Sequence, residues 1–251
     1  LALHGARVMT LERTPQGLDL GALQELFEQH RPSLYLTTGL LHNPTGHSYS
    51  AAQAYGLLEL AKRYDCHIIE DDLYGDWHPD PPPRLAALAG VEQVTYLSGF
   101  SKTLSANLRV SYVVTSPQVA ANLTHLKLMC GGITSEMFEQ ILCSMLNDGT
   151  YHKHRKRVTQ GLLASGARVA RWLQTLGFTL SAPYTGGLYI WATLPAGRDA
   201  ETLARQGLAQ DLVLAPGILF GFDPVLRHCM RFNVAHTDNP KVMAAVEALL
   251  D

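Results

Sequence analysis

Three short β-rich runs end in polar clusters at a nearly constant step, and that rhythm limits the possible folds more than any other feature of the chain. Leu34 to Thr38 leads into Asn43-Pro44-Thr45-Gly46. Cys66 to Glu70 ends at Asp71-Asp72-Leu73-Tyr74, and Val94 to Leu97 ends at Ser98-Gly99-Phe100-Ser101-Lys102. Asn43, Asp71 and Lys102 stand 28 and 31 residues apart, which is the length of one strand–helix–strand step. Helical sequence fills the gaps. Ser50 with Gln53 three residues on is a capping-box pattern, and Ala54, Leu57, Leu58 and Ala61 form an apolar stripe behind it. Strand and helix in alternation predict an α/β fold with a mostly parallel sheet and crossover helices. In such sheets ligands bind beyond the carboxyl ends of the strands, where all three clusters lie.

Elsewhere the pattern predicts a short strand over Arg7–Leu11, a helix over Leu20–His30 and a strand over Arg109–Thr115, then helical sequence to about Asn147. A long helix is expected over Tyr151–Leu176. Its basic opening, Tyr151-His152-Lys153-His154-Arg155-Lys156-Arg157, reads as a solvated face. Short strands and helices then mix through 187–193, 199–210, 212–220, 230–235 and 240–250. The expected organisation is a partial large domain over 1–150, followed over 151–251 by a linking helix and a small α+β domain. The first seven residues read as the end of a helix running into a strand, so the chain is expected to be the C-terminal part of a longer polypeptide.

Composition removes several classes of function. With 47% hydrophobic and 17% charged residues among 251, the chain is globular in character. A formal net charge of -2 offers no general attraction to nucleic acid, and the basic run lacks the interleaved aromatics that stack on bases. No apolar run is long enough for a membrane span and no secretory signal opens the chain. Cys66, Cys130, Cys143 and Cys229 are widely spaced with no CxxC pattern, which fits reduced thiols in the cytoplasm and no metal site.

The clusters carry chemistry only if they converge. A lysine amine attacks an aldehyde when deprotonated, a form that burial beside other cations favours; Lys102 is the candidate, although most lysines are solvated surface residues. Ser101 and Arg109 suit a phosphate, arginine in bidentate fashion. Asp71 ends an apolar strand where an unpaired carboxylate is costly. It suits the ring nitrogen of pyridoxal 5′-phosphate (PLP), with loop capping as the plainer alternative and Asp72 as the adjacent competitor. Tyr74 and the Asn43 amide suit the ring's 3-oxygen, while a core aromatic and an ordinary turn explain them equally well in isolation. Arg231 interrupts the apolar run Met230-Arg231-Phe232-Asn233 and needs an anion, either a substrate carboxylate or an internal salt bridge.

Taken in order, Asn-Pro-Thr-Gly, Asp-x-x-Tyr, Ser-Lys with a following Arg, and a late Arg-x-Asn resemble the signature of class I/II aminotransferases, PLP enzymes of fold type I. The resemblance covers nearly the whole chain. It implies that Lys102 carries the internal aldimine and serves as catalytic residue, with Asp71 facing the pyridine nitrogen and Asn43 and Tyr74 holding the 3-oxygen. Ser101 and Arg109 then hold the phosphate, and Arg231 takes the α-carboxylate of the substrate. Amino acid and 2-oxo acid substrates and a homodimer are implied, with no membrane and no nucleic-acid contact by this segment.

A narrower resemblance joins the seven-residue Lys-to-Arg spacing, the segment 148–155 and Leu214-Ala215-Pro216-Gly217-Ile218-Leu219-Phe220. Together these are similar to the aminotransferase-like half of GntR/MocR-type transcription regulators, which implies sensing of an amine effector as the alternative function. Two positions depart from the family pattern. Gly99 stands where a phosphate-binding hydroxyl residue is usual, and Ser111 where glycine is usual. The family's N-terminal part, with its phosphate-cradling loop and ring-stacking aromatic, has no counterpart in the sequence.

Overall fold

The computed structural model describes residues 4–14, 16–221 and 223–250; the first three of the seven residues expected as a helix end running into a strand lie outside them. A short antiparallel hairpin, β1 (Arg13–Thr14) and β2 (Gly17–Leu18), comes first, followed by α1 (Leu20–His30). Then come β3 (Leu34–Thr37), α2 (Ala51–Arg63), β4 (His67–Asp71), α3 (Leu85–Ala89), β5 (Val94–Gly99) and β6 (Ser111–Val114). Two helices, α4 (Pro117–Met129) and α5 (Glu136–Asn147), lead to the long α6 (Thr150–Thr175). The remainder is β7 (Thr179–Leu180), β8 (Tyr189–Thr193), α7 (Ala200–Leu208), β9 (Ala215–Pro216), β10 (Cys229–Asn233), α8 (Val234–Thr237) and α9 (Pro240–Leu250).

The first sheet runs β3-β4-β5-β6, with its first three strands parallel and β6 antiparallel to β5. Asp19 caps α1 by accepting from the amides of Gly21 and Ala22, and Ser50 and Gln53 complete the expected capping box on α2. Phe27, Leu23, Leu57, Ile68 and Val94 are fully buried where α1 and α2 cover the sheet. Each such side chain contributes about 1.5–3 kcal/mol of burial. The second sheet runs β7-β8-β10-β9, all antiparallel. Its core joins Val169 and Leu173 of α6 to Ile190, Ala192, Met230 and Phe232, with Phe178 edge-on to Phe232.

Some expectations change. Arg7–Leu11 forms no strand, because a ladder needs a hydrogen-bonded neighbour and none flanks that segment among the described residues. The run 212–220 pairs only at Ala215–Pro216 before tightening into a 3-10 turn at Gly217–Leu219. The run 230–235 pairs only through Asn233, whose side chain caps α8. The strand expected from Arg109 begins at Ser111, since Arg109 takes a left-handed backbone, φ 52°. No helix among the described residues is long and apolar enough to cross a membrane.

Candidate functional site

The first sheet places the polar clusters as its topology requires. In register, Asp71 lies beside Leu97, and the Asp72 amide donates to the Leu97 carbonyl at 2.9 Å. Asp71 therefore leaves β4 level with Leu97, two residues before Gly99 leads into the Lys102 turn. That turn is compact: the Phe100 carbonyl accepts from the amides of Thr103, Leu104 and Ser105.

Asp71 and Asp72 separate cleanly. Asp72 is 4% exposed; Arg84 Nε donates to it at 2.8 Å and the Tyr96 hydroxyl at 2.7 Å. Asp71 is half-buried and accepts only the Leu73 amide, at 3.2 Å. Burial pushes its carboxyl above the usual range, an effect the Leu73 amide opposes and Asp72 reinforces. Of the two, Asp71 is the acid without a cationic partner among the described residues.

Asn43, Tyr74 and Arg231 meet. Arg231 lies in the middle of β10, beside Trp191 of β8 and Ala215 of β9. It reaches the loop after β3, where its Nη1 donates to Asn43 Oδ1 at 2.7 Å. Its guanidinium lies 4.3 Å from the Tyr189 ring centre and 4.8 Å from that of Phe220. Cation–π attraction holds it between two apolar walls, while its buried Nε has no hydrogen-bond partner. Among the described residues no carboxylate pairs with it. Tyr74 packs edge-on against Tyr189, ring centres 5.6 Å apart. Burial raises its phenol strongly; Tyr189 adds to the rise, and Asn43 and Arg231 oppose it.

The Asn43 turn is held by short bonds, His42 amide to His47 carbonyl at 2.8 Å and Gly46 amide to His42 carbonyl at 2.6 Å. Gly46 has φ 72°, and a side chain there would begin 2.9 Å from the Tyr189 carbonyl. Glycine is thus what lets this turn dock on β8. Burial, helped by Arg13, pushes the His42 imidazole down to about 3, so it stays neutral beside the Thr45 hydroxyl.

Lys102 and Arg109 are exposed and Ser101 is half-buried. Neither basic side chain makes an ion pair among the described residues. The burial expected around the lysine is therefore not met, because the open end of β5 and β6 leaves that side uncovered. The two positions that depart from the family pattern are direct neighbours. Gly99 and Ser111 face each other across β5 and β6, and a Cβ on Gly99 would fall 2.8 Å from Ser111 Cβ.

Sequence reasoning missed the partners of these groups. Tyr189 and Phe220, the walls around Arg231, carried no polar signal. Trp77 donates its indole N–H to the Lys102 carbonyl at 3.2 Å, and His154 Nε2 lies 2.9 Å from the Thr103 carbonyl. The Tyr151 hydroxyl bonds Asp76, and Arg155 pairs with Asp76 at 3.5 Å. Three of the seven residues in the opening of α6, Tyr151, His154 and Arg155, therefore turn toward these partners, while His152, Lys153, Lys156 and Arg157 are exposed as the solvated reading expects. The spacing of Tyr151, His154 and Arg155, at i, i+3 and i+4, was the available signal for one shared helix face.

Known proteins with this pattern are consistent among themselves. The family model for aminotransferases of class I and II matches residues 1–249. A 2-aminoadipate transaminase of Thermus thermophilus is 27% identical over 98% of the chain, which spans 64% of that relative. The HTH-type transcriptional regulator YjiR of Escherichia coli is 27% identical over 92% of the chain, which spans 50% of it. Among solved structures, the Thermus thermophilus α-aminoadipate aminotransferase complexed with N-(5′-phosphopyridoxyl)-L-leucine superposes with a TM-score of 0.85 at 26% identity, over 99% of the chain and 67% of that protein. The Pyrococcus horikoshii kynurenine aminotransferase shares the fold, with a TM-score of 0.86 at 23% identity over 96% of the chain and 62% of that protein.

Proposed function

This chain belongs to the class I and II aminotransferase family, with the type I fold of PLP enzymes, and from that premise we propose that it is the lysine-bearing part of a PLP-dependent aminotransferase. The observation that carries the reading is Arg231, a half-buried cation fixed by two aromatic rings and Asn43, with an orphaned Nε and no carboxylate of its own. A buried guanidinium without an anion is costly unless a ligand supplies one, and an amino acid carboxylate fits its fork.

The donor set suits PLP. Asp71 lacks a cationic partner and matches a protonated ring nitrogen, while Asn43 and Tyr74 supply donors for the 3-oxygen. Ser101 and Arg109 match the phosphate, and the unpartnered Lys102 amine matches the aldehyde. Bound PLP supplies a carbonyl that condenses with amines and a ring that takes up electron density. The chain's own residues do the rest. Lys102 binds the cofactor and then moves the proton at the substrate's α-carbon. Asp71 keeps the ring nitrogen protonated, and Arg231 orients the substrate through its carboxylate. We extend the proposal to amino acid and 2-oxo acid substrates, a second copy of the chain as partner, and a division near Thr150. The two four-stranded sheets lie one on each side of that residue, which supports the division, although Leu41 and Trp77 pack into the core of the second.

The test is the visible absorption of the protein with PLP. A cofactor band abolished in Lys102→Ala supports the reading; no band, or one unchanged in the variant, ends it. A second reading, amine sensing within a transcription regulator, is favoured by regulator relatives of which the chain spans about half. Spectral response to amines without transfer to a 2-oxo acid selects it.

A further inference from the structure

The Lys102 turn is braced from outside by two side chains. Its backbone is closed internally only on one side, where the Phe100 carbonyl accepts three amides and the Phe100 amide donates to Val110. The carbonyls of Lys102 and Thr103 point to other elements. The Trp77 indole takes the first at 3.2 Å and the His154 imidazole the second at 2.9 Å. A carbonyl only accepts, so His154 Nε2 carries the proton.

Neither donor is a bystander from a loose surface. Trp77 is 3% exposed and packs into the second core with Leu162, Val169 and Ile190, although it follows Tyr74 by only three residues. His154 lies one turn into α6, its ring 6.2 Å from that of Trp77. Tyr151 and Arg155 on the same helix face bind Asp76, next to Trp77. Tyr151 also meets Phe100 edge-on, ring centres 5.5 Å apart. The lysine turn, the segment after Tyr74 and the start of α6 thus form one braced unit.

We infer that Trp77 and His154 are positioning residues, a strut that sets the Lys102 backbone, and with it the reach of the amine, against the second sheet that carries Arg231. The inference rests on the reading of Lys102 as the cofactor-bearing lysine. A reacting amine must be held to within a fraction of an ångström. An exposed lysine on a short turn has few other means of being held. The strut also ties the turn to the strand of the carboxylate clamp, because Trp77 packs into the core that contains Met230 and Phe232, the neighbours of Arg231 on β10.

The test uses hydrogen–deuterium exchange on the cofactor-free protein, read peptide by peptide. Trp77→Phe keeps the ring in the core and removes only the N–H; His154→Ala removes the other donor, and His154→Gln returns an N–H near the ε position. Exchange over 100–105 is expected to rise about tenfold in Trp77→Phe and in His154→Ala. It should stay unchanged in α2 and return to within about twofold of wild type in His154→Gln. Borohydride fixation of PLP on the Lys102 peptide should slow in the first two variants and recover in the third.

Unchanged exchange over 100–105 overturns the strut, whatever the cofactor does. A rise shared by the whole chain also overturns it, as general loosening. Wild-type protein that fixes no PLP at Lys102 overturns the reading of the lysine instead, and the exchange data then decide the strut by themselves.

Discussion

Two arginines of this chain are proposed to bind anions, and they are built in opposite ways. Arg231 is half-buried, walled by Tyr189 and Phe220 and hydrogen-bonded to Asn43. Arg109 is exposed and makes no ion pair among the described residues, in a left-handed backbone two residues before a strand that is exposed throughout. The difference follows from their surroundings. Arg231 lies where the two sheets meet, so both contribute to its cage. Arg109 precedes the edge strand of the first sheet, and the segment after that strand is also open: α4 buries no residue, and Leu128, Met129 and Ile133 are 71%, 72% and 89% exposed. In the proposed reading, one anion clamp is prebuilt within the chain and the other would take its shape from what binds it.

The largest effect should come from breaking the prebuilt clamp. Arg231→Ala removes a fork held in a low-dielectric cage, and the amino donor's KM should rise about 100-fold, on the order of 2.7 kcal/mol. Arg231→Lys keeps the charge without the fork and should cost about tenfold. Arg109→Ala should leave that KM alone and weaken PLP retention instead, about tenfold. Steady-state kinetics at saturating cofactor, with cofactor titration alongside, separates the two. A shared phenotype would mean the arginines do not divide the work.

The outer side can be probed through its packing as well. Gly99→Ser would place a Cβ 2.8 Å from Ser111 Cβ and 3.1 Å from the Val110 carbonyl. Overpacking of that kind costs about 1–3 kcal/mol. Adding Ser111→Gly removes the nearer contact, so the double variant should recover at least half of the loss. Denaturation midpoints of the four proteins give the coupling directly, and strict additivity would refute a steric contact between the two positions.

How much of this was legible in the sequence follows the same division. The parallel strands, the capping box on α2 and the edge where Asn43, Asp71 and Lys102 emerge were legible, because periodicity and strand-end chemistry are local. Arg231's need for an anion was legible as a charge within an apolar strand. Its cage was not, since Tyr189, Phe220 and Asn43 reach it only through tertiary contacts far along the chain. The exposure of Lys102 was not legible either, because it depends on which neighbours cover β6. Arg7–Leu11 failed as a strand for a related reason: alternation signals a tendency to pair, and the partner decides.

A smaller effect should come from the backbone at Arg109. A non-glycine residue at φ 52° carries a penalty of about 1 kcal/mol. Arg109→Gly should therefore hold or raise stability by up to about 1 kcal/mol while lowering cofactor retention. Arg109→Ala lowers retention with no such gain. Thermal unfolding of the cofactor-free proteins separates them, and equal stabilities would show that the left-handed backbone there costs nothing.

The smallest effect concerns Asp71. Its carboxyl is pushed above its ordinary 3.8 chiefly by burial. An acid raised in the folded state binds its proton more tightly there than in the unfolded chain, so stability falls as pH climbs through the raised value. Asp71→Asn removes that dependence. The cofactor-free variant should match wild type near pH 4 and exceed it at pH 8. The gain is a few tenths of a kcal/mol, roughly, given the partial solvent exposure. With PLP bound the order should reverse, because a protonated ring nitrogen gives the carboxylate the cation it lacks. Unfolding curves at both pH values, with and without cofactor, read this crossing. If Asp71→Asn is less stable than wild type at pH 8 without cofactor, then Asp71 already has a stabilising partner within the chain, and Asp72 becomes the acid to test against the ring.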